Sequence, residues 1–532
     1  MKNPKLSNYI YLMGCLFCLL AGLSSCKKWL DVNSKTEIIS EQHFNDISGF
    51  RDALVGVYVK MARPECYSME ATWRTVEFLA QQYAEIPGAP DLNVPKYQWE
   101  TSPLPTKRET IWLGAYNTIS NINQILHYQE LNRQVFNKYP ITDSLIRGEM
   151  LALRAFVHFD ILRLYGKGNL GSRPELQSQL TVPYVTTFSK YQTPQKSNKE
   201  TFDLLLKDIE EAILLLEADP LSRKNPSSHY LQEQGNNFIN TSSTGTDNPN
   251  RKIRMNYWAA KALYARILLW MGTKESKTKA LQAALEVIGN TAKSNNLGEG
   301  DGAYYDWIKA DDLAAPNWYE NDLAFVNEQL FTLNVENFET VQNNGGSGWF
   351  YAGSGNTNYS VVYLTDDRRK LIFEAGTNLI DADWRATRSL MADGPTLNNW
   401  CIAKLFNNGY MSLKYARRMP LIRVTEMYYI AAECLVSLGT DLQKAIALLN
   451  KVRNQRNIPA SFDLPSNLTE AQIREEIKKE YMKEFIGEGQ LFYYFKRLGI
   501  TNMPGSPVEM TDKQYQMPIP DAEITNGGIR ID

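Results

Sequence analysis

Twice in this chain a helical stretch carrying small residues runs into a glycine, and a second amphipathic stretch follows at once. The first instance predicts a helix over Met255–Met271, stopped by Gly272, with a partner from about Lys277 to Ile288. The second predicts Pro420–Leu438, stopped by Gly439, and then Leu442–Arg456. Ala259, Ala260, Ala262 and Ala265 in one unit, and Ala431 and Ala432 in the other, allow close backbone approach, so consecutive hairpins bury their faces by stacking.

Other segments agree with a helical stack. Phe50, Leu54, Val57 and Met61 share a face in a helix that starts at Ile47. Ala115, Ile119, Ile122 and Leu126 point inward from a helix over about Thr110–Tyr128, and a third over Asp143–Tyr165 ends at Gly166. Ser197 with Glu200, and Thr469 with Gln472, form capping boxes. The first opens a helix with Phe202, Leu206, Ile209, Ile213 and Leu216 on one side; the second opens a helix towards Ile486. The expected fold is all-α, with TPR-like helical hairpins in an α/α superhelix. Residues 221–250, rich in Ser, Asn and Thr, read as an exposed loop. Residues 299–420, rich in Gly, Asn, Trp and Tyr, read as a long irregular insertion with short strands. No Pro/Ser/Gly linker divides the chain, so residues 47–532 are expected to form one domain.

The first residues address the chain to the exterior. Lys2 and Lys5 precede an apolar run from Tyr9 to Leu23, shorter than the ~20 residues a membrane span needs. Leu23-Ser24-Ser25-Cys26 matches the bacterial lipobox. Residues 1–25 are therefore expected to be a cleaved signal peptide, with acylated Cys26 opening a tether over 26–46. Each buried methylene contributes ~0.8 kcal/mol, so palmitate-length acyl chains hold a protein durably. Of the six cysteines, Cys66, Cys401 and Cys434 remain in the body, and an odd number leaves at least one free thiol.

Several chemistries are absent. The 57 basic and 59 acidic residues form no clustered positive field, so no nucleic acid is expected. The four histidines, His43, His127, His158 and His229, show no metal-ligand spacing, and His158 reads as a packed helix residue. Asn343-Asn344-Gly345-Gly346-Ser347-Gly348 lacks the Lys-Ser/Thr of a phosphate loop. Asp311-Asp312 and Asp366-Asp367 are adjacent acids of the kind usually solvated. Asp301, Asp306, Asp311 and Asp312 are oxygen-rich enough for a structural calcium ion, though not at EF-hand spacing. No cofactor and no catalysis are expected.

The ordered fragments resemble the RagB/SusD family of Bacteroidetes outer-membrane lipoproteins. They begin with Cys26-Lys27-Lys28-Trp29-Leu30-Asp31-Val32 and Ala53-Leu54-Val55-Gly56-Val57-Tyr58. They continue through Glu149–Phe156 into Leu164-Tyr165-Gly166, and through Tyr257-Trp258-Ala259-Ala260-Lys261-Ala262-Leu263-Tyr264-Ala265-Arg266. Ile422–Tyr428, Leu449–Arg453, Glu488-Gly489 and Pro518-Ile519-Pro520 with Glu523-Ile524 complete the series. One departure stands out. Where many relatives carry E-G-x-R-x-x-D-L-x-R, this chain has Leu491 for the Arg and Tyr494 for the Asp, so aromatic packing is expected in place of a polar contact.

The resemblance implies a surface-exposed protein of the cell outer membrane. It would capture an oligosaccharide or a peptide and deliver it to a SusC-like TonB-dependent transporter. A sugar presents an apolar C–H face and a polar rim, so aromatic plates beside amides and carboxylates are the residues to seek. With 11 Trp and 29 Tyr the chain has many plates, but Trp112, Trp258 and Trp270 fall on helices and read as packing. Candidates on loops are Trp73 and Trp99, flanking Gln81, Gln82 and Asp91. The family's pattern places the opposite wall on a mid-chain loop, matched by Tyr304, Tyr305, Trp307, Trp318 and Tyr319, with Trp349 and Tyr351 near the same rim. A surface glycoside hydrolase is the third reading, and it requires two acids facing one another across a groove.

Overall fold

The computed structural model describes residues 41–84, 91–222, 250–291, 305–314, 320–343, 362–377, 379–393, 399–405 and 416–530. The expected signal peptide, Cys26 and the tether as far as residue 40 lie outside the described residues, as does most of the 221–250 stretch.

Among the described residues, helices of 14 to 28 residues stack in chain order, each on the next. Helix α1 (Ile47–Met61) packs on α2 (Leu104–Leu131), and α2 packs on α3 (Pro140–Tyr165). The series continues through α4 (Asn198–Leu216), α5 (Tyr257–Met271), α6 (Lys274–Thr291), α7 (Val424–Leu438) and α8 (Leu442–Gln455), each touching the next. Helix α9 (Glu470–Glu484) lies against α7 and α8, and α10 (Leu491–Leu498) follows it. This is the TPR-like hairpin stack. The alanines do what their size suggests: Ala259, Ala260, Ala262 and Ala265 on α5, and Ala431 and Ala432 on α7, are fully buried. Gly148 shows how tight the stack is, since a Cβ there would sit 2.8 Å from Leu216 Cγ and 3.1 Å from the Ala212 carbonyl. Gly272 and Gly439 end α5 and α7 in the left-handed region, where only glycine escapes a Cβ clash.

Both capping boxes form. Phe50, Leu54, Val57 and Met61 are all fully buried. Helices α2 and α3 begin several residues earlier than their apolar periodicity suggests, because each has a proline in its first turn, where a missing N–H costs nothing. The expected helix from Pro420 is corrected at its start. Arg418–Arg423 is a strand paired antiparallel with Gln329–Asn334, and the helix starts at Val424. Pro420 disfavours a helical conformation in the residue before it, and a two-stranded ribbon tolerates a missing donor. The insertion also holds a three-stranded antiparallel sheet in which Asn399–Ile402 lies between Tyr363–Thr365 and Leu390–Asp393. A separate hairpin pairs β1 (Leu180–Pro183) with β2 (Gln195–Ser197).

One continuous apolar core runs from Phe44 to Ile529 and includes Trp112, Trp258 and Trp270. Tyr494 fills its unusual position by stacking on Tyr481 at 4.2 Å, while Arg497 grips Glu433 with two bonds of 2.5 and 2.7 Å. Cys66, Cys401 and Cys434 are buried and form no disulfide, and burial pushes the Cys66 and Cys434 thiols up to about 12. His158 is buried between its two partners: Nδ1 lies 2.9 Å from the Arg154 carbonyl, and Nε2 accepts from Val185 N at 2.9 Å. Burial lowers its pKa to about 3, so it is a neutral structural group. Among the described residues no helix is long and apolar enough to cross a membrane.

Glu77 ties the first third of the chain to the turn between α9 and α10. Its carboxylate accepts from Tyr83 Oη at 2.6 Å, Gly487 N at 2.8 Å and Gly489 N at 2.7 Å. Burial raises its pKa from 4.5 to about 7 against those bonds. The folded protein therefore holds this proton more tightly than the unfolded chain, and the resulting stability, present below about pH 4.5, is lost as pH rises through about 7. Relative to Glu77→Gln, which cannot titrate, the wild-type protein is expected to lose up to about 3 kcal/mol between pH 4.5 and 8. Urea midpoints of both proteins across that range check it. Parallel pH profiles would show that Glu77 titrates normally.

Candidate functional site

The segment from Pro64 to Pro105 folds back against the C-terminal part of the chain, and that decides what its polar and aromatic residues can do. Trp73 is fully buried, with Nε1 donating to the Ser68 carbonyl at 2.6 Å. Asp91 lies beneath the surface between Arg74 Nε at 2.7 Å and Lys107 Nζ at 3.0 Å. Gln82 is buried, donates to the Ala80 carbonyl at 2.6 Å, and accepts from Arg368 at 3.1 Å. Gln81 has a left-handed backbone (φ +61°), and its carbonyl accepts from the same guanidinium at 3.1 Å. These four were expected to face a ligand. The structure places them otherwise: Trp73, Gln82 and Asp91 are buried and Gln81 is half-buried, with Trp73 and Asp91 tied to neighbours within 17 positions and the two glutamines joined to the distant Arg368.

The mid-chain candidates go elsewhere. Tyr305 is buried; Trp307 is half-buried, with its ring 5.3 Å from that of Tyr428 on α7 and 5.7 Å from the Arg456 guanidinium. Tyr304, Trp318, Tyr319, Trp349 and Tyr351 lie outside the described residues, as does Asp301 of the calcium candidates. Asp306 pairs with Lys309 at 2.6 Å, and Asp312 accepts from Lys309 N at 3.2 Å. Among the described residues no three His, Cys, Asp or Glu side chains converge as metal ligands.

Among the described candidates, Trp99 lines a sizeable opening. Its Nε1 donates to the Lys513 carbonyl at 2.8 Å, which fixes the indole against the C-terminal segment. The cleft beside it has a volume of about 290 Å³ and lies where three parts of the chain meet. Helix α3 ends at Tyr165 and Gly166, and the chain turns through Lys167 and Gln179 into the β1–β2 hairpin. Residues 512–530 then close over both. Gln516 donates to the Tyr165 carbonyl at 2.9 Å, and Met517 N donates to that of Leu164 at 3.1 Å. Gln195 clamps the other end, donating to the carbonyls of Thr181 at 2.6 Å and Arg530 at 3.1 Å while accepting from Arg530 N at 2.7 Å.

The lining is mixed in the way a sugar requires. Leu180, 37 % exposed, and half-buried Pro518 supply apolar surface, with Trp99 (7 %) and Ile519 (9 %) buried beside them. Lys167, Gln179, Gln195, Asn198, Lys513 and Arg530 supply polar groups. Asn198 Nδ2 donates to the Leu176 carbonyl at 2.9 Å, but its Oδ1 and the Thr181 hydroxyl are buried without a hydrogen-bond partner. Both atoms lie just beneath the cleft surface, on residues of its wall. Sequence reading missed this wall: Asn198 reads only as the residue after a helix cap, and Pro518-Ile519 only as part of a resemblance.

Comparison with known proteins follows the same outline. Residues 28–231 match the family described as "Starch-binding associating with outer membrane", and residues 377–516 match the one described as "SusD family". The chain belongs to the SusD/RagB family. A curated member of similar sequence, SusD-like protein P38 of Formosa agariphila, is 23% identical over 488 residues, covering 88% of this chain and 87% of that protein. Among solved structures, a SusD superfamily protein from Bacteroides thetaiotaomicron superposes with a TM-score of 0.63 at 20% identity, over 91% of this chain and 98% of the other. A SusD-like carbohydrate binding protein from Bacteroides vulgatus gives 0.64 at 17% identity, over 90% and 96%. At such identities the structures share the fold. Each family match contributes to the cleft of this SusD-family chain, the first from Trp99 to Asn198 and the second from Asp512 to Gln516.

Proposed function

We propose that this SusD-family protein captures an oligosaccharide at the cell surface and delivers it to a SusC-like TonB-dependent transporter, held in the outer membrane by an acylated Cys26. The cleft carries the reading. It joins apolar surface from Leu180 and Pro518, backed by Trp99 and Ile519, to a polar rim with two unpartnered oxygens just beneath it, the complement of a sugar's C–H face and hydroxyl edge. The lipobox accounts for attachment, and the name of the Bacteroides vulgatus relative agrees with a carbohydrate ligand. Binding fits better than hydrolysis. Among the described residues the lining contains one carboxylate, Asp512, held by Arg173 through bonds of 2.8 and 3.1 Å, whereas glycosidases place two acids across the bond.

Calorimetry of the full chain against neutral and acidic oligosaccharides and short peptides tests the proposal. An oligosaccharide is expected to bind, about tenfold more weakly to Thr181→Val, the loss associated with one hydrogen bond. Because the Thr181 hydroxyl has no partner in the empty protein, that variant should unfold at the wild-type midpoint or above it. Binding of peptides alone, or sugar binding indifferent to both Thr181→Val and Leu180→Asp, would overturn the assignment.

A further inference from the structure

We infer that the cleft selects an acidic oligosaccharide, one bearing uronate carboxylates or sulfate esters; this rests on the oligosaccharide reading above and narrows it. The chain as a whole is slightly acidic, with 59 carboxylates against 57 Lys and Arg. The cleft reverses that sign. Lys167, Lys513 and Arg530 line it, and Asp512, the one carboxylate among the described lining residues, is already matched by the Arg173 fork. Lys167 is half-buried, and its ammonium donates to a neutral partner, Gln179 Oε1, at 3.1 Å. An amide holds that ammonium in place without cancelling its charge. Among the described residues neither Lys513 nor Arg530 makes a side-chain ion pair.

Position adds to sign. A concave site with low-dielectric walls concentrates the field of its charges, which favours an anion beside half-buried Lys167, while Lys513 and Arg530 stand on the exposed rim. The orphan oxygens supply the other half of the recognition. Asn198 Oδ1 accepts only from a donor, as a sugar hydroxyl is, and Thr181 Oγ1 pairs with either edge of a hydroxyl. A ligand carrying both hydroxyls and anionic groups would satisfy the two sets together. A neutral sugar would leave the cations in water, and a simple anion would leave the oxygens unmet.

The experiment compares three probes of equal length on the full chain by calorimetry: tetragalacturonate, its carboxyl-reduced neutral counterpart, and a sulfated galactan tetramer. One or both acidic probes are expected to bind at least tenfold more tightly than the neutral one at low salt, with the gap closing as salt screens the charges. The uronate and the sulfate arms identify which anion is read. Lys167→Gln and Lys513→Gln should each weaken acidic binding about tenfold, the loss expected of one charge-assisted hydrogen bond, and so narrow the gap between the acidic and neutral probes. Equal affinity for the neutral tetramer, or acidic binding indifferent to both substitutions, would overturn the inference while sugar capture stands. Tetraglutamate binding as tightly as the acidic sugars would also overturn it. Binding of no saccharide by the folded protein would remove both readings.

Discussion

Replacing Arg456 with methionine is expected to destabilise the fold by about 3–5 kcal/mol, the range for stranding buried partners of a broken ion pair. Arg456 is fully buried at the end of α8. It bonds Glu328 through Nη1 at 2.8 Å and Nη2 at 2.5 Å, and Glu484 of α9 through Nη2 at 2.8 Å and Nε at 3.1 Å. Glu328 stands at the entrance to the strand Gln329–Asn334, so this one guanidinium joins the insertion to the helical stack. Burial alone would raise the Glu484 pKa, but Arg456, Arg423 and Arg385 pull it well below its ordinary value. Its contribution is therefore present above about pH 4.5 and fades as acid protonates it. Removing Arg456 leaves two carboxylates short of charge in a dry interior, while a methionine fills much of the volume. Urea denaturation reads the effect. The exposed pair Lys199–Asp203 is the control, since breaking it should leave the midpoint where it was. A wild-type midpoint for Arg456→Met would mean that Arg423 and Arg385 suffice alone.

The parts of this protein legible in its sequence are those decided within about twenty residues. Apolar spacing from Phe50 to Met61, the caps at Ser197 and Thr469, and the glycines at 272 and 439 each act on their own helix, so pattern and structure coincide. Strand Arg418–Arg423 was not legible, because a short apolar run feeding a helix looks like its first turn until its partner, some 90 residues earlier, is known. The site was harder for the same reason. Trp99 is visible as a loop aromatic, but its meaning comes from Lys513, 414 positions away. Asn198, Lys167 and Arg530 carry no local mark at all. Arg368 likewise ties the Gln81 main-chain carbonyl and the Gln82 side-chain amide into a seam between distant segments.

Trp73→Ala is expected to cost about 3–5 kcal/mol of stability and leave the affinity of the folded protein for its ligand unchanged. An aromatic within a polar stretch invites the opposite forecast, loss of binding with the fold intact. The structure decides between them on geometry: the Trp73 indole is fully buried and its N–H is spent on the Ser68 carbonyl, so no face remains for a sugar. Its surroundings explain the size of the effect. Glu70, three residues before it, pairs with Lys107 at 2.8 Å, and Gly489 packs so tightly on the neighbouring Thr72 that a Cβ there would meet its carbonyl at 2.8 Å. A cavity at position 73 would loosen the seam joining the Pro64–Pro105 segment to the turn before α10, and backbone pinned on both sides collapses poorly into a void. Denaturation midpoints and calorimetry on the same preparation separate the two outcomes. A variant that keeps its midpoint and loses its ligand would put the binding surface at Trp73 and take it away from the cleft beside Trp99.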